Sequence, residues 1–164
     1  MADALVIREI GADDFGLLWP IFHEVVAAGE TYSYAPDMSF EQARQLWTSD
    51  GARCFVALLD GTCVGGYMLH ANQPGLGNHV ANCGYMVPSS ARGRGIAGAM
   101  CEHSLDQARQ AEFKAMQFNF VVSTNEGAVR LWQKHGFEIV GRIPGAFRHA
   151  RLGLVDVFVM HRRL

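Results

Sequence analysis

The stretch Met86-Val87-Pro88-Ser89-Ser90-Ala91-Arg92-Gly93-Arg94-Gly95-Ile96-Ala97-Gly98 is where this sequence concentrates its capacity for chemistry. An apolar run stops at Pro88, glycines follow at 93, 95 and 98, and a helical pattern then begins. The first turn of a helix has main-chain N–H groups without intrahelical partners and carries the positive end of the helix dipole, so it attracts anions. Glycine lets such a backbone approach phosphate oxygens without a Cβ clash. Arg92 and Arg94 add charge-assisted donors. A diphosphate is the natural guest. The purely structural alternative is a helix start whose glycines serve packing alone.

Gly93, Gly95 and Gly98 also satisfy G-x-G-x-x-G, the dinucleotide fingerprint. That fingerprint opens a domain and wants an acidic residue about 20 positions on, at the end of the next strand. Here strands precede the turn, and the next strand ends at Val122-Ser123. A Walker lysine is missing, which argues against a nucleoside triphosphatase.

The elements that must hold this turn alternate along the chain. Leu5 to Glu9 reads as a strand. Phe15, Leu18, Trp19, Phe22 and Val26 recur at helical spacing, with Gly29 as the stop. Thr31 to Ser39 is a looser segment, followed by a helix with Phe40, Ala43, Leu46 and Trp47 on one face. Cys54 to Leu59, Asp60-Gly61 and Thr62 to His70 read as a hairpin. His79 to Val87 is a strand, and a helix runs from the glycine turn to about Ala111 with Ala97, Cys101, Leu105 and Ala108 inward. Ala115 to Val122 is a strand, Glu126 to His135 a helix stopped by Gly136, and two strands follow, Phe137 to Ile143 and Val155 to Met160. The pattern predicts an α/β fold with a central mixed sheet flanked by helices. The strand-helix-strand unit from His79 to Val122 needs a crossover, so its two strands should be parallel.

Composition sets the outer bounds. At 164 residues the chain fits one domain, 1–164, with a real core. It is 49% hydrophobic and 18% charged, which rules out long disorder. Fourteen Lys+Arg against sixteen Asp+Glu leave a net charge of -2, with no footprint for nucleic acid or an anionic membrane. No apolar run reaches the ~18 residues of a membrane span. The acidic start Met-Ala-Asp lacks the apolar stretch of a signal peptide, so a cytoplasmic location is expected. The cysteines at 54, 63, 83 and 101 form no CxxC pair and read as small buried hydrophobes; no metal site is expected.

The glycine turn and a second block together resemble the GNAT superfamily of N-acetyltransferases. Arg92-Gly93-Arg94-Gly95-Ile96-Ala97 matches its signature Arg/Gln-x-x-Gly-x-Gly/Ala. Asn125-Glu126-Gly127-Ala128-Val129-Arg130-Leu131-Trp132-Gln133-Lys134-His135-Gly136-Phe137 is similar to its Asn-x-x-Ala-x-x-Leu-Tyr-x-x-x-Gly-Phe. The resemblance implies acetyl-CoA as co-substrate and a sheet that splays between the strands ending at Val87 and Val122. It implies main chain near Met86 and Val87 on the pantetheine arm, Arg92, Gly93, Arg94, Gly95, Ile96, Ala97 and Gly98 on the pyrophosphate, and Asn125 on the arm's amide region. Many members carry Tyr, which protonates the leaving thiolate, where this chain has Trp132; indole cannot replace that acid.

A narrower resemblance, to yeast-type proline-analogue acetyltransferases, rests on Phe118 to Asn125, Leu131-Trp132 and Gly141 to Phe147. It implies that Asn82 and Asn119 serve the substrate and Asn125 the CoA. Strand alternation independently puts Val80, Asn82, Gly84 and Met86 on one face, and Gln117, Asn119 and Val121 together on the neighbouring strand. A carboxamide there must find partners, either an amino acid or local backbone. Glu30, His70 and His79 are candidate bases. Glu30, Tyr32, Tyr34 and Phe40 are candidate acceptor contacts, or anchors of their loop. The expected reaction is direct attack of a small amine, an amino acid or analogue, on the thioester. The alternatives are a protein N-terminal or lysine acetyltransferase and a non-catalytic acyl-CoA sensor. A homodimer is compatible with the closing strands and apolar surface.

Overall fold

The computed structural model describes residues 4–49 and 51–164; the first three residues of the acidic start lie outside it. Strand β1 (Leu5–Ile10) leads through a 3₁₀ turn (Ala12–Leu17) into α1 (Trp19–Ala28) and α2 (Phe40–Thr48). Then come β2 (Arg53–Leu59), β3 (Thr62–Ala71), β4 (Val80–Met86), α3 (Ile96–Gln110), β5 (Ala115–Val122) and α4 (Glu126–Lys134). A hairpin of β6 (Glu138–His149) and β7 (Gly153–Arg163) follows. The strands form one seven-stranded mixed sheet, in the order β1-β2-β3-β4-β5-β7-β6. This is the α/β class that the element pattern predicts. No helix among the described residues is long and apolar enough to cross a membrane.

Local chemistry sets most boundaries. Asp60 and Gly61 have φ of 49° and 81°, the two positive values that a two-residue hairpin joining β2 to β3 requires. The Ser39 side chain accepts from Gln42 N–H while Gln42 Oε1 accepts from Ser39 N–H, a reciprocal box that starts α2. The expected single helix from Phe15 is corrected to a 3₁₀ turn followed by α1. Pro20 has no N–H and fits only the first helical turn, so the α-helix begins at Trp19.

The sheet is covered on both faces. One core holds Tyr67, Cys83, Leu105, Met116, Phe118 and Trp132, beneath α3 and α4. The other holds Phe15, Phe22, Trp47, Val56, Met68 and Met86, beneath α1 and α2. On β4, Ala81 and Cys83 belong to the first core and Met86 to the second, as alternation requires. On β5 the alternation breaks. Three steps along β5, from Phe118 to Val121, match two on β7, from Met160 to Phe158. This bulge turns Val121 onto the same core as Phe118. Val121 therefore does not share the face of Gln117 and Asn119, contrary to the simple alternation.

The decisive feature is where pairing stops. Strands β4 and β5 run parallel, yet only Val80↔Ala115 and Ala81↔Met116 pair. On its other side β4 stays paired to β3 as far as Gly66↔Met86, and β5 stays paired to β7 as far as Val122↔Val157. The sheet thus splits into a V between β4 and β5.

The last two strands are longer than expected because the chain passes through Pro144-Gly145 rather than ending before it. The β6–β7 register shifts between Ile143 and Phe147, where four steps on β6 match two on β7. Asp156 anchors this bulge, accepting from Gly145 N–H at 2.9 Å and pairing with Arg142. Strand β6 forms the rim of the sheet, with Ile139, Val140 and Ile143 exposed.

Candidate active site

A continuous cleft of about 1180 Å³ starts at the glycine turn, follows the V and ends between the segment after α1 and the tip of the β6–β7 hairpin. Its volume slightly exceeds the usual range for a single small-molecule pocket, which suits two reactants.

At the first end, Gly95 is the N-cap of α3, in the left-handed conformation at φ 77°, and Gly93 has φ 73°. The first bond of the helix is Ala99 N–H to Gly95 C=O, at 3.0 Å. The earlier N–H groups have no intrahelical acceptor, and a glycine cap has no side chain to offer them. No acidic residue occupies the first turn. Among the described residues Arg92 has no carboxylate partner, and it lines the cleft. These are the properties of an anion cradle. Arg94 is exposed and does not line the cleft, whereas Arg92, also exposed, does. Gly98 faces α4: a Cβ there would sit 3.7 Å from Leu131 and His135.

Midway, Met86, Val87 and Asn125 line the V. Asn125 is the N-cap of α4 but makes no side-chain capping bond, leaving its carboxamide to the cleft. Trp132 is nearly buried, its ring 4.8 Å from Tyr85 on β4 and 5.1 Å from Phe118 on β5. It bridges the two strands just where their main chains no longer pair. Tyr85 points its hydroxyl to Ser104 at 2.6 Å, on the covered face, and burial pushes its pKa well above the ordinary tyrosine value.

Asn82 spans the first missing rung of the V. Its Nδ2 donates to the Gln117 carbonyl on β5 at 2.9 Å, and its Oδ1 pairs with His70 Nε2 at 3.0 Å. Asn119 accepts from Gln117 Nε2 at 2.9 Å and donates to Asn72 Oδ1 at 2.6 Å. Both asparagines line the cleft as a polar floor. His70 and His79 do not reach it: His70 is engaged by Asn82 and His79 is exposed.

At the far end, Tyr32 donates to the Tyr85 carbonyl at 2.9 Å, crossing over Gly84, where a Cβ would meet its hydroxyl at 2.9 Å. Tyr34 stacks on Phe22 and accepts from Trp47 Nε1 at 3.3 Å. Burial raises the pKa of both phenols, so both stay protonated at neutral pH. They anchor the loop and line the cleft at once. Phe40 lies outside the cleft, packed against Phe15 and Trp19. Glu30 lines the cleft and pairs with Arg151 at 2.9 Å.

The hairpin tip is the part of the wall that sequence reasoning missed. His149, Arg151 and Leu152 close the far end, and Ala150 N–H donates to Gly29 C=O at 2.9 Å. The signal was the turn-like His149-Ala150-Arg151-Leu152-Gly153 between two apolar alternations; reading Pro144-Gly145 as a strand end obscured it.

The thiols narrow the chemistry. Cys83 lines the cleft, but burial pushes its pKa up to about 12. At neutral pH such a thiol stays protonated and is not the thiolate that a nucleophile requires. Cys83→Ala should therefore keep turnover within about threefold of the native protein, whereas a loss near the 10²- to 10⁴-fold scale of an essential group would reveal an acyl-enzyme. Among the described residues no His/Cys/Asp/Glu group could hold a metal ion.

Comparison with known proteins agrees with this fold. Residues 17–137 match the acetyltransferase (GNAT) family. The structure superposes with a TM-score of 0.93 on a GCN5-related N-acetyltransferase from Kribbella flavida, which is 46% identical with 98% of each chain covered. In sequence the chain is similar to N-acetyltransferase aca1 of Schizosaccharomyces pombe, 33% identical over 97 residues that make up 58% of this chain and 46% of aca1. It is also similar to the L-amino acid N-acetyltransferase AaaT of Escherichia coli, 29% identical over 92 residues, 56% of each chain. The matched stretches thus span about half the length of these two relatives. With its signature turn, its split sheet and its match over residues 17–137, the chain belongs to the acetyltransferase (GNAT) family.

Proposed function

We propose that this chain moves an acetyl group from acetyl-CoA to the amine of a small molecule, an amino acid or an analogue of one, by direct attack while both are bound. The observation that carries the reading is the single cleft that joins an anion cradle to a polar, tyrosine-lined end through the V of the sheet. The uncapped first turn of α3, the left-handed Gly95 and the unpaired Arg92 suit a diphosphate. Main chain at Met86 and Val87, which β5 leaves unpaired, and the Asn125 carboxamide suit an amide-bearing arm. Acetyl-CoA supplies an activated acyl thioester with a thiolate as leaving group.

The chain's own residues do the rest by placement. Main-chain N–H near Val87 faces the developing oxyanion, a contact typically worth ~3 kcal/mol. Asn82 and Asn119, held by His70, Gln117 and Asn72, keep a fixed array of amide donors and acceptors beneath the acceptor. Cleft-lining Tyr32 and Tyr34 remain neutral and shape the pocket. No acid is required of Trp132, because a thiolate leaves without protonation. The Ala150–Gly29 bond ties the hairpin tip to the end of α1 beside the acceptor end, which favours a small molecule over a peptide lying in an open groove.

The test pairs binding with turnover. CoA at 100-fold over its Kd should stabilise the protein by ~2.7 kcal/mol, seen as a raised melting temperature. Thiol release with acetyl-CoA should then appear on amino acids within an amine panel. Asn119→Ala should lower turnover more than it weakens CoA binding. A thermal shift without turnover on any amine would return the protein to the sensor reading, and no shift at millimolar CoA would remove the diphosphate from the glycine turn.

A further inference from the structure

Arg151 is the cationic side chain at the acceptor end of the cleft; the cleft's other Arg and Lys side chains, Arg92 and Lys134, belong to the α3 and α4 end. Its backbone is fixed. Arg151 N–H and Leu152 N–H both donate to Nδ1 of the buried His149, at 3.1 and 3.2 Å, and Ala150 N–H is tied to Gly29 at the end of α1. Its head is only partly used. Nε donates to Glu30 Oε1 at 2.9 Å, and among the described residues neither Nη group has a partner. Glu30 Oε2 is likewise unbonded. Two opposite charges, each with spare hydrogen-bonding capacity, thus stand side by side on the wall of the acceptor pocket.

We propose that Arg151 and Glu30 form a receptor for a zwitterion, and that the acceptor is an amino acid with a free carboxylate. Arg151 takes the carboxylate on its Nη fork, whose planar geometry matches two carboxylate oxygens. Glu30 holds the guanidinium through Nε, so it is a positioning residue for Arg151, and its second oxygen faces the substrate ammonium. Acetylation converts that ammonium into a neutral amide: the C–S bond breaks as the N–C bond forms, and the nitrogen sheds two protons to water, one of which the departed CoA thiolate takes up once free. The product then keeps its hold on Arg151 but loses its attraction to Glu30, which promotes release. An exposed ion pair of this kind contributes little to stability, and Arg151 is 70% exposed at its side chain, so the pair is free to serve binding.

This rests on the acetyl-transfer reading and adds what the acceptor must carry. The experiment uses the full chain with common L-amino acids and their matching carboxamides, which present the same amine without the anion. The native protein should prefer acid over amide by about 10- to 100-fold in kcat/KM, the scale of a bidentate charge-assisted contact. Arg151→Gln should raise KM for the acid by a similar factor, change kcat little and abolish the preference, with an unaltered melting temperature. Arg151→Lys should restore part of the preference. Equal use of acid and amide by the native protein, or a preference untouched in Arg151→Gln, overturns the proposal. Should no amine turn over, calorimetric titration of acid and amide onto the protein with CoA decides the matter alone. A difference lost in Arg151→Gln supports the receptor, and equal or absent binding overturns it.

Discussion

Gly95→Val is expected to weaken CoA binding by about 30- to 100-fold, while the melting temperature falls by only a few degrees. Nothing lies within 4 Å of a Cβ placed at Gly95, so the effect is not a collision. It comes from φ 77°, a region that costs an L-residue ~1–2 kcal/mol and a β-branched one more. The strain is relieved by rotating the neighbouring peptides, and that rotation swings the N–H groups of the first turn of α3 away from the cleft. Since Gly95 is exposed and bears no core contact, the fold tolerates the change better than the cradle does. Gly98→Ala is the control. Its Cβ would make ordinary contacts at 3.7 Å inside a helix, and binding should change by less than about threefold. Isothermal titration calorimetry reads both, and native affinity in Gly95→Val would place the diphosphate elsewhere.

Trp132→Ala should produce the largest loss of stability, ~3–5 kcal/mol, the usual cost of removing a buried aromatic. For a chain of this size that is a drop of about 6–20 °C in melting temperature. The cost is high because the indole packs at a tilt against both Tyr85 and Phe118 and so ties the two halves of the divided sheet. Trp132→Tyr separates packing from chemistry. It keeps an aromatic ring and supplies the phenol of the GNAT signature to which this helix is similar. If the thiolate leaves unaided, turnover should stay within about threefold of native; a gain approaching the 10²-fold of a general acid would show that protonation limits the native protein.

Much of the donor end was legible because its signals are local. Positive φ at Gly93 and Gly95 and the uncapped start of α3 lie within a few residues of one another, and the α4 block is itself one short continuous run, so turn and helix-start chemistry announces each. The Asp60-Gly61 hairpin was readable for the same reason. The acceptor end was less so. Glu30 meets Arg151 and Asn119 meets Asn72 across long stretches of chain, and no local pattern records such meetings. Bulges did further damage. A single inserted residue between Phe118 and Val121 reversed the facing of Val121, and Pro144-Gly145 read as an ending where the strand only swerved. Arg94 shows a subtler limit: a residue of suitable type in a signature turn can still face solvent.

The swerve at Pro144 has a consequence for how copies of this chain can meet. A rim strand of twelve residues bearing exposed Ile139, Val140 and Ile143 would ordinarily invite another strand to add on, and then another. Here proline contributes no N–H, and the amide of Gly145 is already spent on Asp156. The ladder is interrupted at its centre, so the outer margin offers an added strand only short stretches to pair with.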